Sequence, residues 1–117
     1  SRFLESENEH VKQQYNVFRR IVVKALRVIY SINQESNPEL YLNDLQELEK
    51  FTHERMERGN IEIDTLIRND DITTDMASSL VNDQDHVEDL VDKMIVMAKL
   101  LYISRDQLAI SNNNFYT

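Results

Sequence analysis

Residues 11–32, VKQQYNVFRRIVVKALRVIYSI, decide the fold. Apolar side chains return at Val11, Tyr15, Phe18, Val22, Ala25, Ile29 and Ile32. Steps of three and four residues keep side chains on one face of an α-helix. Leu4 extends the stripe, so a first helix is expected over about residues 3–32. The polar run Asn33-Gln34-Glu35-Ser36-Asn37-Pro38 breaks it. Pro38 lacks an N–H and suits the first turn of a new helix, with Asn37 as its N-cap.

The same reading carries down the chain. A second helix is expected over residues 38–69, with its stripe at Tyr41, Leu45, Leu48, Met56, Ile63 and Leu66, and Phe51 and Ile67 beside it. Gly59 falls on this stripe. A mid-helix Gly costs about 1 kcal/mol against Ala. The periodicity keeps its phase across it, so the helix should continue, and a Gly there would let a neighbouring helix approach. Asp70-Asp71-Ile72-Thr73 makes the next turn. Thr73 or Thr74 can cap a third helix, and Asp75 suits its positive end. That helix is expected over residues 74–108, with Met76, Leu80, Val87, Leu90, Met94, Ala98 and Leu101 facing inward. Residues 111–117 read as a polar tail beyond a bundle of residues 1–110.

Composition agrees. The 117 residues include one Gly and one Pro, too few for the many turns of a sheet protein. Helices of roughly 30 residues, about 45 Å each, with short connections predict an all-α, antiparallel up-down-up three-helix bundle. There is no Cys, which excludes a disulfide scaffold and a thiolate metal site. The net charge is −8, and basic residues gather only at Arg19, Arg20 and Lys24, so nucleic acid is not an expected partner. The best apolar run, Met94 to Ile103, is about half the ~20 residues needed to cross a bilayer, and it contains Lys99. The chain opens on Ser1 inside a helical pattern, as a piece of a longer protein would.

The candidate chemistry lies in Asn82-Asp83-Gln84-Asp85-His86-Val87-Glu88-Asp89-Leu90-Val91-Asp92. With Val87 inward, Asp85, Asp89 and Asp92 point away from the core and Glu88 sits at the boundary. Asp85 and Asp89 are one turn apart, as are Glu88 and Asp92, and carboxylates so spaced can share a hard cation. The bland alternative is a solvated acidic face. Asp83 follows Leu80 on the stripe and is expected to be buried, with Asn82 forming a polar break beside it. Lys12 or Asn60 could satisfy the carboxylate, which would then pin helix register. No enzyme is expected. His10, His53 and His86 lie on different helices, and His10 and His86 are the two expected near one another. His53-Glu54 lacks the second His of a zinc protease motif. Ser78 and Ser79 have no visible base. A carboxylate-bridged metal enzyme would need paired Glu-x-x-His motifs, and only Asp83 with His86 approaches that spacing.

Val87-Glu88-Asp89-Leu90-Val91-Asp92, followed by Met94-Ile95 and by Met97 to Tyr102, resembles the signature helix of PhoU-type domains. Glu88 and Asp92 match the spaced acidic pair of that motif. Val91 stands where the family often has Gly or Ala, and Asp89 where it often has Arg. Leu66-Ile67-Arg68 and Ile72 to Asp83 look like the PhoU-like tail of bacterial sodium/phosphate cotransporter proteins. The likeness spans about residues 59–102. It implies a regulatory domain at the cytoplasmic face of the cell membrane, controlling phosphate uptake by contacting its own transporter or another protein. It also implies divalent or iron-type metal ions held by Glu88 and Asp92, with a second copy in a homodimer completing the site. The alternative is a metal-free helical adaptor.

Overall fold

The computed structural model describes residues 2–33 and 37–116. It contains three helices, α1 (Arg2–Asn33), α2 (Pro38–Arg68) and α3 (Thr74–Tyr116), each packed against the other two. Together they form a rod 74 × 18 × 16 Å, the expected up-down-up bundle. Residues 34–36, within the first expected connection, lie outside the described residues. α3 runs past the expected end near Leu108 as far as Tyr116, so residues 111–116 are helical rather than a separate tail. Its 43 residues span about 65 Å at ~1.5 Å each, longer than either neighbour.

The helix ends follow from local chemistry. Asn37 is the N-cap of α2, its side chain accepting from the N–H of Glu39 at 3.0 Å, with Pro38 in the first turn. At the other end Asn69 is the C-cap. Asp70 donates its N–H to Ile67 and Asp71 donates to Leu66. This is a Schellman pattern, and Asp70 holds the left-handed position with φ 56°. Ile72 then folds back into the core beside Leu66 and Ile67. Asp tolerates positive φ better than most residues but still carries strain there that Gly lacks. Asp70→Gly should therefore stabilise the bundle by about 0.5–1 kcal/mol in urea unfolding. A loss instead would mean that the Asp70 carboxylate holds the turn.

α2 stays helical through Gly59, as its unbroken phase predicts. The seam residues are buried Tyr41, Leu45, Leu48, Thr52, Met56, Gly59 and Ile63. Steps of four follow one another at Leu48, Thr52 and Met56. On α3 they follow one another at Val87, Val91 and Ile95, of which Val91 and Ile95 are buried. Such stutters locally unwind the supercoil. They lie at one height, because Thr52 shares a cleft with Glu88 and Asp92.

The α1 seam differs from the expected stripe. Phe18, Ala25 and Ile32 are buried as read, but Gln14 and Ile21 take the places given to Tyr15 and Val22. Glu7 is buried, whereas Leu4 is exposed. On α3, Gln84 and Val91 replace Asp83 and Leu90. Two polar residues, Gln14 and Gln84, sit where an apolar-only search cannot place them.

The core falls into two clusters. One end holds Phe18, Ile63, Ile72, Ala77 and Leu80. The other holds Ile21, Ala25, Leu45, Leu48, Val91 and Ile95 among others. Val87 packs against both. Between them Gln84 lies against Gly59 and donates to the backbone carbonyl of Met56 at 3.2 Å and to Asn60 Oδ1 at 2.6 Å. A side chain at position 59 would occupy the space of that amide.

Candidate functional site

Within the acidic stretch of α3, Asp83 faces α1, whereas Glu88 and Asp92 face α2. Glu88 and Asp92, one turn apart, line a cleft of about 180 Å³ between α2 and α3. Glu49, Thr52 and His53 of α2 form its other wall. The cleft exists because the seam residue at this height is the small Thr52, whose hydroxyl donates to the carbonyl of Leu48 at 2.9 Å. Asp85 and Asp89 are exposed and outside this cleft. The four carboxylates expected to share cations therefore do not converge as one set.

The α2 wall is partly committed. Lys99 Nζ lies 3.7 Å from Glu49, bridging the two helices above the cleft. His53 Nε2 lies 3.2 Å from Glu57 on the exposed face of α2. Among the described residues, no group of three or more His, Asp or Glu is close enough to hold a metal ion. Glu49 is not singled out in the sequence, and His53 is weighed there only against a zinc protease motif. Their signal was an i, i+4 pair on α2 mirroring Glu88 and Asp92 on α3, and only the antiparallel register sets one against the other.

Asp83 is half-buried rather than buried, and Asn82 is exposed. The inward place belongs to Gln84, one residue on, and it is Gln84 rather than Asp83 that Asn60 satisfies. Asp83 accepts a hydrogen bond from the Tyr15 hydroxyl, tying α1 to α3. That bond, together with partial burial, raises the Tyr15 pKa above its ordinary value. Because the folded value is the higher one, the contribution is complete below the ordinary phenol range. It is lost as pH rises through the raised value.

Other polar contacts hold the fold. Glu7 Oε2 accepts from the backbone N–H of Thr73 at 2.8 Å, just where α3 begins. Thr73 Oγ1 accepts from Met76 N–H at 3.1 Å and so is the cap, one of the two threonines expected. Gln14 Nε2 donates to Glu62 at 3.3 Å, while its Oε1 is buried with no hydrogen-bond partner among the described residues. His10 lies 4.0 Å from Asp71 at the α2–α3 turn, and His86 is on the exposed surface.

Arg19, Arg20, Lys24 and Arg27 line a shallow depression on α1 with Val23. Lys24 also reaches over the Phe51 ring, 3.9 Å from its centroid, a cation–π contact to α2. No helix among the described residues is long and apolar enough to cross a membrane. Set against protein-family models, curated proteins and solved structures, the chain finds no match.

Proposed function

We propose that the chain is a regulatory interaction module of the PhoU-like kind, attached to a sodium/phosphate cotransporter and tuning phosphate uptake without catalysis of its own. The observation that carries this reading is the Ile72–Asp83 segment followed by the Glu88/Asp92 pair. The first forms the α2–α3 turn and the opening turns of α3, and the second lies on the outside of the bundle. In this reading the membrane spans belong to the attached transporter, and the module works at the cytoplasmic face by protein contact.

The metal-free adaptor is the second reading, and it is favoured by Asp85 and Asp89 lying outside the cleft that Glu88 and Asp92 line. Equilibrium dialysis against manganese, iron and calcium separates the two ideas about metal. The expected result is no saturable uptake by the isolated chain. Saturable binding that disappears in Glu88→Ala/Asp92→Ala would assign the α2–α3 cleft to a cation. The transporter reading has its own check in the coding sequence upstream of Ser1. Membrane-spanning segments are expected there, and a gene without them ends this form of the proposal.

A further inference from the structure

The outward line of α1 carries positive charge and apolar side chains together. Ile21 and Ala25 turn to the seam. At about 100° per residue, Arg19, Val23, Leu26 and Tyr30 then share the opposite face, and Arg20 and Arg27 flank it on the α2 side. All six are exposed, Leu26 by 55% and Tyr30 by 70%. Residues 12–30 carry five Lys or Arg and no Asp or Glu, in a chain whose net charge is −8. Among the described residues, no carboxylate lies within ion-pair distance of Arg19, Arg20 or Arg27.

The other side of the rod is acidic. Each helix packs on the other two, so the α2–α3 groove opens away from α1. That groove holds Glu49, Glu88 and Asp92. Asp44, Glu47 and Glu54 of α2 share the α1–α2 groove with Lys24 and Arg27 and bound the positive face there. Glu5 and Glu9 bound it toward the N-terminus. The positive face therefore runs from Arg19 to Tyr30, about 17 Å along α1. A partner helix or strand seats its apolar anchors in a groove. This face has only the shallow depression between Arg19, Arg20, Val23, Lys24 and Arg27. Apolar side chains on a helix ridge, flanked by cations, suit a flat, fluid and anionic layer instead.

We propose that the outward face of α1, from Arg19 to Tyr30, docks on the surface of an anionic lipid bilayer, with the rod lying flat. Arg19, Arg20 and Arg27 meet the headgroup phosphates through charge-assisted hydrogen bonds. Leu26 enters the boundary beneath them, and Tyr30 places its ring there with its hydroxyl in the wet layer. The acidic α2–α3 cleft then faces water. The attraction of an anionic surface fades within a Debye length, about 8–10 Å at moderate salt. The rod is 16–18 Å thick, so α1 feels that field while the far acidic side is largely screened from it. The inference does not rest on the transporter reading, because the contact needs only this chain and lipid.

Vesicle co-sedimentation with the full chain tests it. Vesicles of phosphatidylglycerol and phosphatidylcholine in equal parts should bind the chain, and phosphatidylcholine alone should not. Binding should weaken as salt is raised. Each cation at such a surface is worth about a five-fold change in partition, so Arg19→Ala/Arg27→Ala should lower it roughly 25-fold. Both side chains are exposed, so helical circular dichroism should stay unchanged. Orientation has its own readout. The chain has no Trp, so Tyr30→Trp adds a single fluorescent reporter. Brominated lipid in the anionic vesicles should quench it and leave His53→Trp, on the α2–α3 side, unquenched. A chain that ignores anionic vesicles at low salt, or binds them equally well in the arginine variant, overturns the proposal. So does equal quenching at positions 30 and 53. Poly-glutamate that binds the chain more tightly than the vesicles do, with the same loss in the arginine variant, would give the face to an acidic protein and overturn it too.

Discussion

Gly59→Leu should lower the unfolding free energy by about 3 kcal/mol, the middle of the range that three effects together allow. Overpacking a filled seam costs about 1–3 kcal/mol. The new side chain also displaces the Gln84 amide from the Met56 carbonyl and Asn60, and a stranded buried amide costs about 1–3 kcal/mol. Better helix propensity returns ~1 kcal/mol. For a domain of this length the melting temperature should fall by roughly 10 °C. Gln84→Ala makes room on the opposite helix, so Gly59→Leu in that background should cost clearly less than it does alone. Unchanged melting of the single variant would place Gly59 off the seam.

Glu7→Ala should cost about 2 kcal/mol, although Glu7 lies far from the acidic stretch of α3. Its carboxylate accepts the Thr73 N–H at the start of that helix. A hydrogen bond to a charged group contributes about 1.5–3 kcal/mol, and a negative charge at a helix N-terminus adds about 0.3–1 kcal/mol. Relief of burying a carboxylate offsets part of the total. Glu7→Gln keeps the acceptor and removes the charge, so it should cost less than the alanine variant. Amide hydrogen exchange at Thr73 should speed up in Glu7→Ala beyond what the global loss explains. Exchange unchanged relative to the rest of α3 would show that Glu7 does not hold the turn.

Much of this architecture is legible in the sequence. One Gly, one Pro and the Asn37-Pro38 pair leave room for few connections, and Asp70 to Thr73 marks the second. Helix phase was legible only to half a heptad. Phe18, Ala25 and Ile32 were read correctly, but Tyr15 and Val22 were placed in the seam that Gln14 and Ile21 occupy. Ile21-Val22-Val23 is apolar at every step, so hydropathy cannot choose among them. The seam polar residues Glu7, Gln14 and Gln84 are recognisable only by their partners on other helices. The misplacements also share a direction. On α1 they run toward α3, and on α3 Asp83 and Leu90 run toward α1. The stripes are wider than the seam on the side these two helices share, and Tyr15 and Leu90 stay exposed there.

The candidate site was half legible. Glu88 and Asp92 stood out as a spaced pair, and the structure keeps them together. Asp85 and Asp89 look equivalent in spacing, but they are exposed and lie outside the cleft. Glu49 and His53 could not be assigned from α2 alone, since nothing within one helix tells which neighbour it will face.

The separation of the core into two apolar clusters gives the rod a seam of weakness across its middle. Each cluster holds its own end by burial, while the layer between them is held largely by the hydrogen bonds of Gln84 and by Val87. Contiguous regions with their own contacts open as separate cooperative units. The end near Ile72 and Ala77 can therefore fray while the end near Leu45 and Ile95 stays closed. A partner that grips one end works against the cohesion of that end alone.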